Sequence, residues 1–153
     1  MDEKRISGRA IIVHEGKLVS MYREREGRVF YTFPGGRIEE NETEVDCVKR
    51  EVFEEFGIVV KPIKKVYIYE NQRAIEHFYL SEWVSGEFGT GNGEEFQNNQ
   101  TNGVYIPKLI NIEEIPNLPL MPPEIASAFY NDYTNNNEEL REDVKYIYGE
   151  IKK

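Results

Sequence analysis

Three glutamates lie close together in REVFEEFGI, residues 50–58, at positions Glu51, Glu54 and Glu55. If this segment is helical, carboxylates three or four positions apart repel each other by about 0.2 to 0.5 kcal/mol per pair. A bound cation would remove that repulsion, and Mg²⁺ is commonly held by one or two carboxylates together with substrate phosphate. The spacing therefore predicts a site for a divalent cation.

The element that must position these carboxylates is a helix predicted over 43–56. Apolar residues recur there at helical spacing and form one stripe, made of Val45, Val48, Val52 and Phe56. At about 100 degrees per residue, the three glutamates lie roughly perpendicular to that stripe. The helix can therefore bury one side on a sheet while its carboxylates face a cleft.

Both ends of this helix carry boundary signals. Thr43, three residues before Asp46, predicts an N-terminal cap, and Asn41 is a competing start. Gly57 predicts the end of the helix, because glycine readily adopts the left-handed conformation that closes helices.

Segments rich in β-branched and aromatic residues surround the helix and predict strands. They are residues 10–13, 18–22, 29–33, 58–70, 74–88 and 104–107. The first two form a hairpin around Gly16. A short helix is expected in LINIEEI, residues 109–115, and another helix from Pro122 or Pro123 to Phe129. Strands on both sides of a helix predict an α/β fold.

The C-terminal part has a different pattern. NDYTNNN, residues 131–137, is typical of a linker, and the residues that follow place an apolar face at helical spacing. That face consists of Leu140, Val144, Ile147 and Ile151. We therefore expect one domain over residues 1–133 and an amphipathic helix over 134–153 that packs on the same domain or on a homodimer partner.

Composition limits the class of partner. A chain of 153 residues fits one domain, and a single cysteine, Cys47, forms no intramolecular disulfide. The N-terminus lacks the apolar stretch of a secretory signal, and no apolar run is long enough to span a bilayer, which favours a cytoplasmic protein that does not insert into membranes. A net charge of -9 argues against duplex nucleic acid and favours a small-molecule partner.

The sequence pattern that contains the glutamates begins before the helix, at Gly36. Gly36 is followed after five residues by Glu42, and after seven more by the segment 50–58. This pattern resembles the Nudix box of the Nudix hydrolases at every defining position. The resemblance implies an α/β/α sandwich with a mixed central sheet, and metal-assisted hydrolysis of a nucleoside diphosphate linked to another group.

The resemblance also implies roles for single residues. Glu51, Glu54, Glu55 and the carbonyl of Gly36 are expected to bind Mg²⁺, with Mn²⁺ as an alternative ion. Arg50 belongs to the same catalytic set, in which Arg50 and Glu42 brace the loop and the helix. Arg50 lies four residues before Glu54, close enough for the two to pair.

The general base and the substrate contacts stay open at this point. The base is Glu54 or Glu55 or, from the polar loop at residues 89–103, Glu94 or Glu95. Arg23 occupies a position where family members often contact phosphate. Glu95, Phe96 and Tyr105 are further candidates for substrate binding, since the two aromatic rings border the loop and could stack on a nucleobase.

Two functions are compatible with this pattern. The first is an Mg²⁺-dependent Nudix pyrophosphohydrolase acting on a nucleoside triphosphate or another nucleotide derivative. The second is a Nudix-like module that senses a nucleotide without cleaving it, which the complete set of three glutamates disfavours. The substrate subclass stays open, because after Pro62 no proline occurs before Pro107, whereas members that cleave ADP-ribose share a proline shortly past the box.

Overall fold

Nine strands and two α-helices follow one another along the described part of the chain, residues 3–91, 103–136 and 144–149 of the computed structural model. The strands are β1 Arg5–His14, β2 Lys17–Arg25, β3 Arg28–Thr32, β4 Gly35–Arg37, β5 Ile58–Glu70, β6 Ala74–Gly86, β7 Val104–Asn111, β8 Leu120–Met121 and β9 Lys145–Tyr148. The helices are α1 Glu44–Phe56, a 3-10 helix Ile112–Asn117 and α2 Pro123–Asn136. None of the helices in these ranges is long and apolar enough to cross a membrane.

The strands form one mixed sheet. Their order is β8-β3-β2-β1-β6-β5-β9, with β4 paired to β1 and β7 paired to β2. β1 runs parallel to β6, whereas β1 and β2 form the predicted antiparallel hairpin. The predicted α/β fold is confirmed. The glycines at 35 and 36, where the sequence indicates only a turn, belong to the short strand β4.

Alternate residues of β1 divide between two cores. Ala10 and Ile12 belong to a cluster with Val48 and Val52 of α1, whereas Ile11 belongs to a cluster that includes Phe129 of α2. Successive side chains of a strand point to opposite faces, so the two helices cover opposite faces of this part of the sheet. This arrangement fixes α1 against β1 and β4.

The predictions for the C-terminal segment are wrong at two places. The predicted linker over 131–137 is helical as far as Asn136, because α2 continues through it. The predicted helix over 134–153 instead contains β9, which runs parallel to β5 with Ile147 opposite Tyr69. The first three positions of that predicted helix, 134–136, are helical as the end of α2, whereas Leu140 and Ile151 lie outside the described residues.

Tertiary contacts explain why the C-terminal segment differs from both predictions. Asp132 of α2 is 7% exposed, accepts a hydrogen bond from the Tyr67 hydroxyl at 2.6 Å, and pairs with Lys145 Nζ at 2.6 Å. The three residues come from α2, β5 and β9. Pairing with a sheet edge and with a buried carboxylate therefore outweighs the helical spacing of a short segment, since local propensity is a weak determinant.

Candidate functional site

Helix α1 is fixed at both ends, as its sequence predicts. The Thr43 side chain accepts a hydrogen bond from the Asp46 N–H at 3.1 Å, so Thr43 is the cap and Asn41 precedes it in the loop. Gly57 closes the helix at φ 77 and ψ 9, and its N–H donates to the carbonyl of Phe53. Capping satisfies backbone groups that a helix end leaves unpaired, which holds the first and last turns in place.

Arg50 lies at the centre of the carboxylates. Its Nε and Nη2 donate to the two oxygens of Glu42 at 2.7 and 3.0 Å, and Nη1 donates to Glu51 at 3.0 Å and to Glu54 at 3.2 Å. Nη2 also donates to the Arg37 carbonyl at 3.2 Å. The pairing of Arg50 with Glu54 that the spacing predicts is present, and the same guanidinium joins the preceding loop to the helix.

These hydrogen bonds keep the Arg50–Glu42 pair ionised. The hydrogen bond to Glu42 raises the pKa of Arg50 above its ordinary value, with a further contribution from Glu51, although burial acts in the opposite direction. The hydrogen bond from Arg50 lowers the pKa of Glu42 despite its burial. Both side chains are therefore charged at neutral pH, and the charge-assisted bonds between them persist.

The Glu51 carboxylate lies directly against the backbone of Gly36. A Cβ atom at Gly36 would lie 2.5 Å from Glu51 Oε1 and 2.7 Å from Oε2, closer than real contacts allow. The absence of a side chain at position 36 therefore gives the carboxylate its place. The Gly36 carbonyl accepts a hydrogen bond from the buried Cys47 thiol at 3.2 Å, and burial raises the pKa of Cys47 to about 11, so the thiol stays protonated.

Glu54 and Glu55 have different surroundings, which the sequence did not predict. The Glu54 side chain is 42% exposed, whereas Glu55 is 8% exposed and accepts a hydrogen bond from the Gly35 N–H at 2.9 Å. Buried carboxylates need partners to offset the loss of hydration. Glu55 is thus held inside the protein by a hydrogen bond from the β4 backbone. Glu54 is the most accessible carboxylate of the three.

The start of the polar loop packs against the C-terminal end of α1. The Gly89 N–H donates to the Phe56 carbonyl at 2.9 Å, and a side chain at Gly91 would overlap the backbone of Glu54 and Glu55. The loop therefore begins next to the last turn of the helix. The candidates Glu94, Glu95 and Phe96 follow at positions that lie outside the described residues.

The structure brings together two substrate-binding candidates, Arg23 and Tyr105. They are opposite each other on β2 and β7, and the guanidinium carbon of Arg23 lies 3.6 Å from the centroid of the Tyr105 ring. Phe30 contributes a second ring at 5.5 Å. Burial lowers the pKa of Arg23, while Tyr105 and Glu55 act in the opposite direction. One face of Tyr105 is therefore covered by Arg23.

A partly buried ion pair that the sequence did not reveal joins β1 to β6. Arg9 Nε donates to Glu76 Oε1 at 2.8 Å, and Arg9 Nη1 donates to the Phe33 carbonyl at 3.3 Å. Burial lowers the pKa of Arg9, but Glu76 and then Glu55 and Glu51 outweigh it and raise the pKa above its ordinary value. The carboxylates of α1 thus favour the charged form of Arg9.

A cavity of about 310 Å³ opens beside this ion pair. Its apolar wall is formed by Phe33, Phe78, Met121 and Pro122. Cavities of this size with an apolar wall and a few polar groups are typical of small-molecule sites. The only sequence signal for this place is a single charge, Arg9, directly before the apolar run at 10–13, and that signal is weak because charged residues commonly begin strands.

The glutamates of α1 fit a hard divalent cation by their chemistry. They offer carboxylate oxygens on one helix beside a glycine that leaves room for Glu51. No three His, Cys, Asp or Glu side chains within the described ranges form a preassembled metal cluster. In this arrangement Arg50 holds Glu51 and Glu54, which suits an ion bound by one or two carboxylates, water and substrate phosphate better than an ion enclosed by protein.

Comparison with protein-family models gives a match to the NUDIX domain over residues 4–130. Among curated proteins, no sequence matches the chain.

Solved structures share the fold at low sequence identity. A NUDIX hydrolase from Nitrosomonas europaea is 18% identical, with a TM-score of 0.73 over 100% of this chain and 81% of that chain. An ADP-ribose pyrophosphatase from Streptococcus suis is 20% identical, with a TM-score of 0.64 over 96% of this chain and 100% of the other. A MutT protein from Bacillus halodurans is 18% identical, with a TM-score of 0.65 over 95% and 89% of the two chains.

Proposed function

The chain belongs to the NUDIX family and is a hydrolase of phosphorus-containing acid anhydrides, and we propose that it is an Mg²⁺-dependent pyrophosphohydrolase that cleaves a nucleoside diphosphate linked to another group. The observation that supports this most strongly is the Arg50 network. One guanidinium binds Glu42, Glu51 and Glu54 at 2.7 to 3.2 Å, beside the glycine that makes room for Glu51. This arrangement holds a carboxylate set in one place.

In this proposal Glu51, Glu54 and Glu55 hold Mg²⁺ or Mn²⁺, together with the Gly36 carbonyl. When bound, such an ion neutralises phosphate charge and lowers the pKa of an attacking water. The chain's own contribution is to position the carboxylates. Arg50 orients two of them, and the Gly35 N–H fixes Glu55 at 2.9 Å. Preorganised groups avoid reorganisation during the reaction, which is the main source of electrostatic catalysis.

Among the helix carboxylates, Glu54 is also assigned as the general base, with one carboxylate oxygen binding the ion and the other accepting the proton of the water. Glu55 is nearly buried and its carboxylate accepts a backbone hydrogen bond, whereas the Glu54 side chain is 42% exposed. A base must reach the water whose proton it accepts. Glu94 and Glu95 stay alternatives, since the loop that carries them starts at the end of α1 next to Glu54.

We assign Arg23 to the binding of a substrate phosphate. Tyr105 is assigned to holding the Arg23 guanidinium in its orientation. Stacking on the ring at 3.6 Å holds the guanidinium plane, and an oriented guanidinium can donate two parallel hydrogen bonds to phosphate oxygens. Because Arg23 covers a face of Tyr105, the cavity beside Phe33 and Phe78 is the better place for a nucleobase. Aromatic and apolar walls favour planar rings there.

Family membership supports a nucleotide derivative as the substrate in this proposal. The proteins that share its fold include an ADP-ribose pyrophosphatase and a MutT protein, and the site favours neither of their activities for this chain. A cytoplasmic location, a small nucleotide partner and a homodimer stay predictions from the sequence.

The experiment is a screen in which the two products of cleavage, a nucleotide and the phosphorylated second group, are separated and identified by chromatography; for a nucleoside triphosphate the second product is pyrophosphate. Nucleoside triphosphates, nucleotide sugars, ADP-ribose and dinucleoside polyphosphates are each incubated with the protein in Mg²⁺ and, in parallel, in chelator. Turnover of one class in Mg²⁺ alone supports the proposal. Binding of a nucleotide without cleavage of any compound would instead favour the nucleotide-sensing module.

A further inference from the structure

A second cavity, of about 330 Å³, is lined mainly by positively charged side chains, although the protein as a whole is acidic. Four arginines line it, Arg5, Arg9, Arg37 and Arg73, together with a single acidic residue, Glu76. The whole chain has 28 acidic and 19 basic side chains and a net charge of -9. Four positive groups around one cavity are therefore a local exception, and a single acidic residue does not balance them.

The single acid of this cavity already has a partner. Glu76 is bound by Arg9 at 2.8 Å, with both side chains largely buried. Within the described ranges, Arg5, Arg37 and Arg73 form no ion pair, and their side chains are exposed to the cavity and to solvent. Three guanidinium groups are thus available to an incoming anion.

The backbone under these arginines is fixed by hydrogen bonds. The Arg5 N–H donates to the Arg73 carbonyl at 3.0 Å, and the Asn71 side chain accepts hydrogen bonds from the Arg73 and Ala74 N–H groups at 2.8 Å each. On the other edge, Arg37 lies opposite Ser7 of β1. The backbone that carries the arginines is therefore in place before binding, so only their side chains lose freedom when the ligand arrives.

The small side chain of Ser7 leaves the space between the arginines open. Ser7 is 8% exposed, lines the cavity, and lies between Arg37 of β4 and Glu76 of β6 in the register of the sheet. Its side chain is small, and its hydroxyl can donate a hydrogen bond to an anion. A larger residue at this position would occupy the space that the three strands leave open.

The arginine-lined cavity adjoins the apolar cavity beside Phe33 and Phe78. The two share Arg9, Asn71 and Glu76 in their walls. Along β1, the arginine-lined cavity extends from Arg9 towards Arg5, whereas Arg9 itself lies opposite Phe78. A ligand with its ring in the apolar cavity can therefore place a second group among the arginines.

We propose that this arginine-lined cavity binds a phosphate monoester that the substrate carries in addition to its scissile diphosphate. The proposal rests on the proposed function and narrows its substrate class to nucleotides with a further phosphate on the sugar. Guanidinium groups match the geometry of phosphate oxygens, and a dianionic monoester offers three acceptor oxygens to three arginines. The scissile diphosphate is separately assigned to the α1 carboxylates and their ion.

The assignment is tested by measuring nucleotide binding under conditions in which no hydrolysis occurs. Titration calorimetry in chelator compares adenosine 5′-monophosphate with adenosine 2′,5′-bisphosphate and 3′,5′-bisphosphate. We expect at least one bisphosphate to bind about tenfold tighter than the monophosphate, as one charge-assisted hydrogen bond would provide. In the double variant Arg5→Gln and Arg73→Gln this gain should be lost.

The double variant Lys17→Gln and Arg28→Gln is the matched control, because both side chains are exposed and line neither cavity. It removes two positive charges, as the test variant does, and should keep the gain. Equal binding of all three nucleotides to the unmodified protein would overturn the proposal, as would a gain that survives in the double variant. Since no Mg²⁺ is present, this result is independent of whether the protein hydrolyses a diphosphate.

Discussion

Arg50 binds Glu42 through two hydrogen bonds, Nε to Oε2 at 2.7 Å and Nη2 to Oε1 at 3.0 Å. Glu42 lies in the loop before α1 and Arg50 lies on the helix, so the pair fixes one relative to the other. The remaining N–H groups of the same guanidinium reach Glu51 and Glu54. The carboxylate arrangement therefore depends on the shape of the arginine fork as well as on its charge.

Arg50→Lys should reduce both stability and turnover. Lysine keeps the charge but cannot make two parallel bonds to Glu42 while reaching Glu51 and Glu54. We expect a loss of about 1 to 3 kcal/mol in the free energy of unfolding and at least about a tenfold fall in kcat, measured by thermal denaturation and by initial rates. Lys49→Gln, at the exposed neighbouring position, should change neither. An unchanged kcat in Arg50→Lys would show that the fork is not required.

Gly36→Ala should affect the reaction more than the fold. The added methyl group would displace the Glu51 carboxylate, whose oxygens would lie 2.5 and 2.7 Å from it. We expect weaker Mg²⁺ dependence and a fall in kcat of about a hundredfold, as when a catalytic group is misplaced. The comparison is Gly16→Ala, where nothing lies within 4 Å but φ is +76, so stability should fall without loss of kcat. Normal kinetics in Gly36→Ala would contradict the placement of Glu51.

Stability should decrease on mild acidification because of His77. Burial lowers the pKa of His77 from its ordinary value of 6.5, although Glu44 at 3.5 Å partly offsets this. The unfolded chain therefore binds more protons than the folded one, so this contribution is complete above pH 6.5 and is lost as pH falls through the folded pKa. Melting temperatures between pH 8 and pH 5 should fall less steeply in His77→Gln than in the unmodified protein, whereas the more exposed His14→Gln should leave the slope as it is. Identical slopes in all three would refute the assignment.

Tyr67→Phe should destabilise the docking of α2. The variant removes a hydrogen bond of 2.6 Å to the buried Asp132, which keeps Lys145 as a partner. The expected cost is about 1 to 2 kcal/mol, or roughly 3 to 6 °C in the melting temperature for a chain of this length. Tyr146→Phe is the control, since that side chain is 59% exposed. Equal melting temperatures for the two variants would count against the observed contact.

Local signals were sufficient to predict α1 and its immediate surroundings. Its apolar stripe, the Thr43 cap and the Gly57 end are properties of neighbouring residues, and the structure has the two ends as predicted. Of the predicted stripe, Val48, Val52 and Phe56 are buried, whereas Val45 is half-buried. The strands of the hairpin and of β5 and β6 were recognisable for the same reason. The pairing of β1 with β6 was not, because it joins residues that are far apart in the sequence.

The missed parts of the site depend on contacts between distant segments. Arg9 and Glu76 are separated by 67 positions, and neither belongs to a motif. The burial of Glu55 likewise depends on the Gly35 N–H rather than on the helix pattern. At the C-terminus, the pairing of β9 with β5 outweighs a helical spacing that was present in the sequence.

The most direct test of the central claim is the Mg²⁺ dependence of turnover in Glu54→Gln, measured with a substrate found in the screen. Glu54 is the accessible carboxylate of the set, so its replacement should lower kcat by about a hundredfold or more, while the melting temperature stays close to that of the unmodified protein. Glu40→Gln removes an exposed acid from the loop before the helix and should behave like the unmodified protein. If Glu54→Gln turned over at the normal rate with the same response to Mg²⁺, Glu54 would be neither the general base nor a ligand of the ion, and the proposed site would be contradicted.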